Sequence, residues 1–331
     1  MLAMNKYTTA ILTAVNLRKR FRLTSTTSKG DHLTALDDVS LVLANSETLG
    51  IAGESGCGKS TLGKILAGLM KPDQGEVRYQ GSPLSSLSTY DYRQFRRSTQ
   101  MIFQDPFSSL NPRMRIADII AEPLVISGRS EINIRASVEE IMRTVGLNPE
   151  LAQRFPDEFS GGQRQRIGIA RALAAAPGIL IADEPVSSLD ISIQAQIINL
   201  LQEMKYNFNL SLIIISHNLS VLRHMCDRVI IMYLGIIVEQ APAEDLFRQC
   251  LHPYTEALIA AIPRISVGTR QTTVILNDDL PSPLNIPSGC RFHPRCRYAA
   301  EICRKEVPAL LEINRGHTSA CHFAKTIFST R

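Results

Sequence analysis

The chain has 331 residues, 44% of them apolar and 20% charged, with a formal net charge of +5. That balance describes a globular protein, and the length suits one large domain with an appendage. No uninterrupted apolar run approaches the ~20 residues needed to span a bilayer, so a membrane role would need a partner. The charge is uneven: from Arg264 onward there are ten Lys or Arg and five Asp or Glu, which equals the excess of the whole chain. Such a tail could meet anionic lipid or nucleic acid. A solvated surface around a cysteine-rich segment is the preferred reading, with no nucleic-acid partner.

In chain order, residues 7–15 faintly resemble a signal-peptide core. Only Lys6 leads in, and no small-residue cleavage site follows, so the segment is expected to run into a first strand near Val15, Leu17 and Phe21. Residues 36–43 and 48–52 read as further strands. Directly after Ala52 comes Gly53-Glu54-Ser55-Gly56-Cys57-Gly58-Lys59-Ser60, then Thr61. It fits the phosphate-loop pattern G-x-x-x-x-G-K-[ST] at every fixed position. Residues 61–69 follow with helical spacing of Leu62, Ile65, Leu66 and Leu69. The strand–loop–helix context lets backbone N–H groups curl around phosphate oxygens, aided by the helix N-terminus. Lys59 would reach the β/γ-phosphates, and the Ser60 hydroxyl would ligate Mg²⁺.

Asp73 to Val77 reads as a turn entering a strand. Residues 106–171 are helix-rich, with helical periodicity over 116–126, 132–145 and 163–176, and Ser160 is a sensible N-cap for the last. Residues 179–240 alternate strand and helix: strands at 179–183, 212–215 and 229–233, with a helix over 192–207. Alternation of this kind predicts an α/β core with a largely parallel sheet, interrupted by a helical insertion over about 106–170. The apolar strand 179–182 ends in Asp183 and Glu184, which can hold Mg²⁺ and polarise an attacking water. Phosphoryl transfer asks a protein mainly for positioning and charge stabilisation. The character changes after Ala241. A short helix opens at His252-Pro253-Tyr254, a Pro/Ser-rich connector spans 281–287, and a Cys/His/Arg segment follows.

Phe159-Ser160-Gly161-Gly162-Gln163, Asp183-Glu184, Ser188-Leu189-Asp190 and Ile215-Ser216-His217 occur in that order behind the phosphate loop. With this set the chain resembles the ATP-binding subunits of ABC transporters over roughly residues 11–331. The resemblance implies a P-loop NTPase core of ABC type and a composite site. The signature Ser160, Gly161, Gly162 and Gln163 of one subunit would close on ATP held by another, with Asp190 at the same interface. His217 would contact the γ-phosphate. Gln104 would join core to helical insertion and sense Mg²⁺ and water. Phe21 would stack on adenine. Ser188 replaces an alanine and Asn218 an aspartate common in the family; neither change removes a catalytic group.

Cys57, Cys226 and Cys250 are scattered, whereas Cys290, Cys296, Cys303 and Cys321 share one short segment. A cytosolic chain should not rely on disulfides, and a segment too small for its own core suggests a staple. Structural zinc favours closely spaced cysteine pairs, which are absent here. Four thiolates also satisfy a [4Fe–4S] cluster. Zinc with His293, His317 or His322, and four plain thiols, remain alternatives. His252-Pro253-Tyr254, the 281–285 connector and Gly289-Cys290…Cys296 resemble the C-terminal extension of dipeptide/oligopeptide importer ATPases, some of which hold a cluster on these cysteines. The resemblance divides the chain into a nucleotide-binding domain over 1–250 and an extension over 251–331. It implies an ATPase on the cytoplasmic face of a bacterial inner membrane, powering peptide import. Its partners would be two permease subunits, a second ATPase subunit, as a heterodimer, and an external solute-binding protein. A nickel or metal-chelate importer, and a soluble ABC ATPase of translation or repair, are the rivals.

Overall fold

The computed structural model describes residues 10–22, 32–105, 109–128, 130–187, 189–262, 282 and 284–328. Ser188, and Pro281 and Pro283 of the 281–287 connector, lie outside them. Two sheets organise the chain. The first is antiparallel and holds β1 (Ala10–Arg22), β2 (His32–Ala44), β4 (Gln74–Tyr79) and β5 (Ser82–Pro83), in the order β2-β1-β4-β5. The second holds β3 (Thr48–Ala52), β6 (Thr99–Ile102), β7 (Ile179–Asp183), β8 (Ser211–Ile215), β9 (Arg228–Tyr233), β10 (Ile236–Pro242), β11 (Leu311–Asn314) and β12 (His317–Ser319). Its order is β11-β12-β10-β9-β3-β8-β7-β6.

From β9 through β3, β8 and β7 to β6 every pairing is parallel. β3, β7, β8 and β9 are buried along their whole length, as strands covered on both faces must be. That is why they read as continuous apolar runs rather than alternating ones.

The helices in chain order are α1 (Lys59–Leu66), α2 (Thr89–Ser98), α3 (Ile116–Ile126), α4 (Glu131–Thr144), α5 (Gly161–Ala174), α6 (Ile191–Phe208), α7 (Leu219–Met225), α8 (Ala243–Arg248), α9 (Pro253–Ala260), α10 (Glu301–Lys305) and α11 (Ala324–Phe328). α3, α4 and α5 form the expected helical insertion, joined through Ile119, Ile120, Leu124, Val138, Met142 and Ile167. α1 starts two residues earlier than its apolar spacing suggests, because the turn at Gly58 already places Lys59 in the helix. It also ends sooner: the Leu69 N–H folds back onto the Lys64 carbonyl at 2.8 Å.

The C-terminal segment builds onto the second sheet. The β11–β12 hairpin pairs with β10, Glu239 opposite Ser319 and Gln240 opposite Thr318. Buried Glu239 accepts from the His317 ring at 2.7 Å and from the Leu251 and His252 N–H groups. Phe292 is 2% exposed and packs edge-to-face with Tyr233 and at a tilt against Tyr254. The segment therefore borrows the main core. Truncating Phe292 to alanine should cost about 3–5 kcal/mol, as for other buried aromatics.

Candidate functional site

Parallel strands bring the motifs to one edge. β3 ends at Ala52 before the 53–60 loop, β7 ends at Asp183, and β8 ends at Ile215 before Ser216 and His217. β6 ends at Ile102, two residues before exposed Gln104. The registers Ile51 with Ile215, Asp183 with Ile215 and Ile102 with Ala182 align these ends. Ligands of open α/β sheets bind outside the carboxyl ends of the strands.

Within the loop, Gly53 and Gly58 have φ of +151° and +105°. A Cβ on Gly53 would lie 2.3 Å from the Met232 carbonyl oxygen, and one on Gly58 2.2 Å from that of Ala35. Only glycine lets the loop pack this closely on β9 and β2. Gly56 faces open space, with nothing within 4 Å of a built Cβ. Ser55 and Gly56 are exposed, Cys57 is buried, and Ser60 and Thr61 are partly buried. The loop thus leaves an open mouth with backbone N–H groups behind it, which fits an entering phosphate. Lys59 is 5% exposed, and its ammonium donates to the Gly53 and Glu54 carbonyls at 2.7 and 2.9 Å.

The Ser60 hydroxyl donates to Asp183 Oδ1 at 3.0 Å. Burial raises the Asp183 pKa, and the Ser60 hydrogen bond offsets part of the rise. Two hard oxygen donors in contact, one of them a poorly solvated carboxylate, suit a small divalent cation such as Mg²⁺. Glu184 comes next, with φ +50° and its N–H on the Ile215 carbonyl. A left-handed non-glycine residue stores roughly 1–3 kcal/mol of strain, and such residues cluster at functional sites. This backbone turns the Glu184 side chain toward His217, whose Nδ1 lies 2.6 Å from Glu184 Oε2.

The signature opens α5. Ser160 caps it: the Gln163 N–H donates to Ser160 Oγ, and the Ser160 N–H to Gln163 Oε1 at 3.0 Å. A Cβ on Gly161 would touch Leu189, and one on Gly162 would lie 2.5 Å from Ile193. The signature is thereby packed beside exposed Asp190, which ends the turn before α6 without a side-chain capping bond. Ser160, Gln163 and Asp190 form one solvent-facing edge. Phe21 lies elsewhere, near the end of β1, opposite Leu33 and under the Lys19 ammonium. Its link to the loop runs through β2, whose Ala35 carbonyl backs Gly58.

One connection has no sequence signal. The Arg295 guanidinium donates to both Glu54 carboxylate oxygens, at 2.7 and 2.9 Å, across 241 residues. The Glu54 N–H donates to Tyr254 Oη at 2.8 Å.

Cys290, Cys296, Cys303 and Cys321 line one cavity, together with Phe292, Tyr298 and Phe323. All four are free thiols. Burial pushes Cys290 up to about 11 and Cys321 up to about 12, and raises Cys296. Four thiols around one cavity match the donor type and number of a [4Fe–4S] cluster. Among the described residues no group of three His, Cys, Asp or Glu is placed to hold one metal ion. Neither the cluster nor the zinc alternative therefore finds a preformed site among the described residues, and His317, one candidate zinc ligand, points its Nε2 at Glu239 instead.

A family profile described as ABC transporter matches residues 36–187, and one described as Oligopeptide/dipeptide transporter, C-terminal region, matches residues 238–303. The chain is 49% identical over 292 residues to the oligopeptide transport ATP-binding protein AppF of Bacillus subtilis, covering 87% of this chain and 89% of that one. It is 45% identical over 317 residues to the di/tripeptide transport ATP-binding protein DppF of Pseudomonas aeruginosa, covering 95% and 98%. Among solved structures, the dimeric ATP-binding cassette MJ0796 bound to ADP and Pi matches with a TM-score of 0.63 at 28% identity, covering 70% of this chain and 98% of that one.

Proposed function

The chain belongs to the ATP-binding subunits of ABC transporters of the oligopeptide/dipeptide kind, and on that premise we propose that it hydrolyses ATP to drive import of di- and oligopeptides through membrane permeases. The observation that carries the reading is the gathering of the 53–60 loop, Asp183, Glu184 and His217 at one sheet edge. Lys59 and the loop N–H groups bind the β/γ-phosphates. Ser60 and Asp183, with Gln104, would hold Mg²⁺, which would neutralise charge on the phosphate oxygens. Glu184 orients the attacking water, and His217 steadies Glu184 and the γ-phosphate.

The edge formed by exposed Ser160, Gln163 and Asp190, with Gly161 and Gly162 behind it, is assigned to the nucleotide of a second ATPase subunit. The dimeric state of the MJ0796 cassette supports that arrangement. No helix among the described residues is long and apolar enough to cross a membrane. Attachment therefore runs through two permease subunits at the cytoplasmic face of a bacterial inner membrane, fed by an external solute-binding protein. Cys290, Cys296, Cys303 and Cys321 hold a [4Fe–4S] cluster that staples the extension and takes no part in hydrolysis.

Deleting the chain from its host should abolish growth on a dipeptide as sole source of a required amino acid. Wild-type protein should restore growth, and Lys59→Ala should not. Undiminished growth of the deletion strain, with no second peptide importer present, would refute the reading.

A further inference from the structure

Glu54 is the second residue of the phosphate loop, and every polar group it has is engaged. Its carbonyl accepts from the Lys59 ammonium at 2.9 Å. Its N–H donates to Tyr254 Oη at 2.8 Å. Its carboxylate takes the two-pronged grip of Arg295. The last two partners come from beyond the cassette strands: Tyr254 from α9, and Arg295 from the turn His293–Arg295 directly before Cys296. Arg295 is 5% exposed at its side chain and Glu54 25%. The Arg295 pKa is raised, first by this hydrogen-bonded pairing with Glu54. Tyr233, Tyr254 and Phe292 pack as one aromatic group behind it, and the guanidinium sits 6.0 Å above the Tyr233 ring.

A bidentate arginine–carboxylate pair fixes direction as well as distance. Held from the side chain and the N–H, Glu54 presents its carbonyl to Lys59, and so sets where the lysine ammonium stands in the loop. A loose Glu54 would let the carbonyl, the lysine and the adjacent N–H groups wander. Ordering them would then be charged against nucleotide binding.

We propose that Arg295 is a positioning residue for the nucleotide phosphate loop, acting through Glu54, so that the cysteine segment sets how tightly the chain holds ATP. The inference rests on the nucleotide-site reading above and deepens it. It assigns the C-terminal segment an effect on nucleotide affinity that a purely mechanical staple would lack.

The test measures ATP affinity of the full chain by calorimetry, in a double-mutant cycle of Arg295→Met, Glu54→Gln and the pair. Methionine keeps the stem that covers Tyr233, and glutamine keeps the loop shape. Each single variant is expected to bind ATP about tenfold more weakly, within the usual range of coupling between linked sites. The double variant should be no weaker than either single one. Arg297→Met removes the neighbouring salt bridge to Glu256 in the same segment and should leave affinity unchanged. Steady-state turnover should show a raised KM with kcat kept. Thermal melting checks that each variant is folded, and Arg295→Lys supplies a milder replacement if methionine is not tolerated.

Wild-type affinity in folded Arg295→Met or Arg295→Lys, additive losses in the double variant, or an equal loss in Arg297→Met would overturn the inference alone. Wild-type protein that binds no ATP, or binding that survives Lys59→Ala undiminished, would overturn the nucleotide reading and the inference with it.

Discussion

His217 Nδ1 lies 2.6 Å from Glu184 Oε2, joining the ends of two adjacent parallel strands across the sheet edge. Glu184 is 8% exposed and reaches the histidine only because its backbone adopts φ +50°. Glu184→Gln keeps that shape and removes the charge. It is expected to bind ATP normally and to lose about 10²- to 10⁴-fold in turnover, the usual worth of a positioned base. Quenched-flow hydrolysis with the partner cassette also disabled checks this. Near-wild-type turnover would exclude the role.

The proposed assignment of the exposed Ser160, Gln163 and Asp190 edge to another subunit's nucleotide makes a two-subunit prediction. Lys59→Ala and Ser160→Arg chains should each be inactive as homodimers. Mixed dimers should regain part of the activity, because one intact composite site is rebuilt. Native mass spectrometry must show the mixed species. Inactivity of proven mixed dimers, where single-site hydrolysis is otherwise competent, counts against the arrangement.

The cysteine cavity predicts a brown protein after anaerobic purification, with about four irons per chain, the content of a cluster with four thiolate ligands. Cys303→Ser should lose iron and make the segment after residue 282 sensitive to protease. Stoichiometric zinc without iron would return the site to zinc. Neither metal, with an ordered segment, would leave four plain thiols.

His252 gives a pH prediction. Its ring is 1% exposed and accepts the Tyr254 N–H on Nδ1. Burial drives its pKa down to about 3, against about 6.5 in an unfolded chain. The unfolded state therefore takes up a proton that the fold refuses. Stability is whole above about pH 6.5 and falls as pH drops toward 3, by up to about 1.4 kcal/mol per pH unit. Urea titrations of His252→Asn, which keeps a capping side chain, should show a flatter slope between pH 6.5 and 5 than wild type. Replacing exposed His224 should leave the slope unchanged, and an unchanged slope in His252→Asn would refute the assignment.

What was legible in the sequence was local. The phosphate loop announces itself because its glycines, lysine and serine act within eight residues of chain. The helix at Ile116–Ile126 has the bounds its periodicity predicts, even with Pro123 inside it. Ser160 reads as a cap because capping is a contact three residues long. The joining of β12 to β10 was not legible, since three-residue strands carry almost no pattern. Nor was the Arg295–Glu54 pair, because nothing local distinguishes an arginine whose partner lies 241 residues away. The left-handed Glu184 likewise follows from the packing of β7 against β8 rather than from its neighbours in the chain.

ATP-driven peptide uptake is the central function proposed for the chain. The measurement is uptake of a labelled dipeptide into proteoliposomes holding this chain with the proposed second ATPase subunit and two permeases, supplied with the proposed solute-binding protein. Uptake should require ATP, stop with Lys59→Ala, and be unaffected by excess nickel chelate. ATP hydrolysis without peptide uptake, while the same vesicles accumulate a nickel chelate, would contradict it.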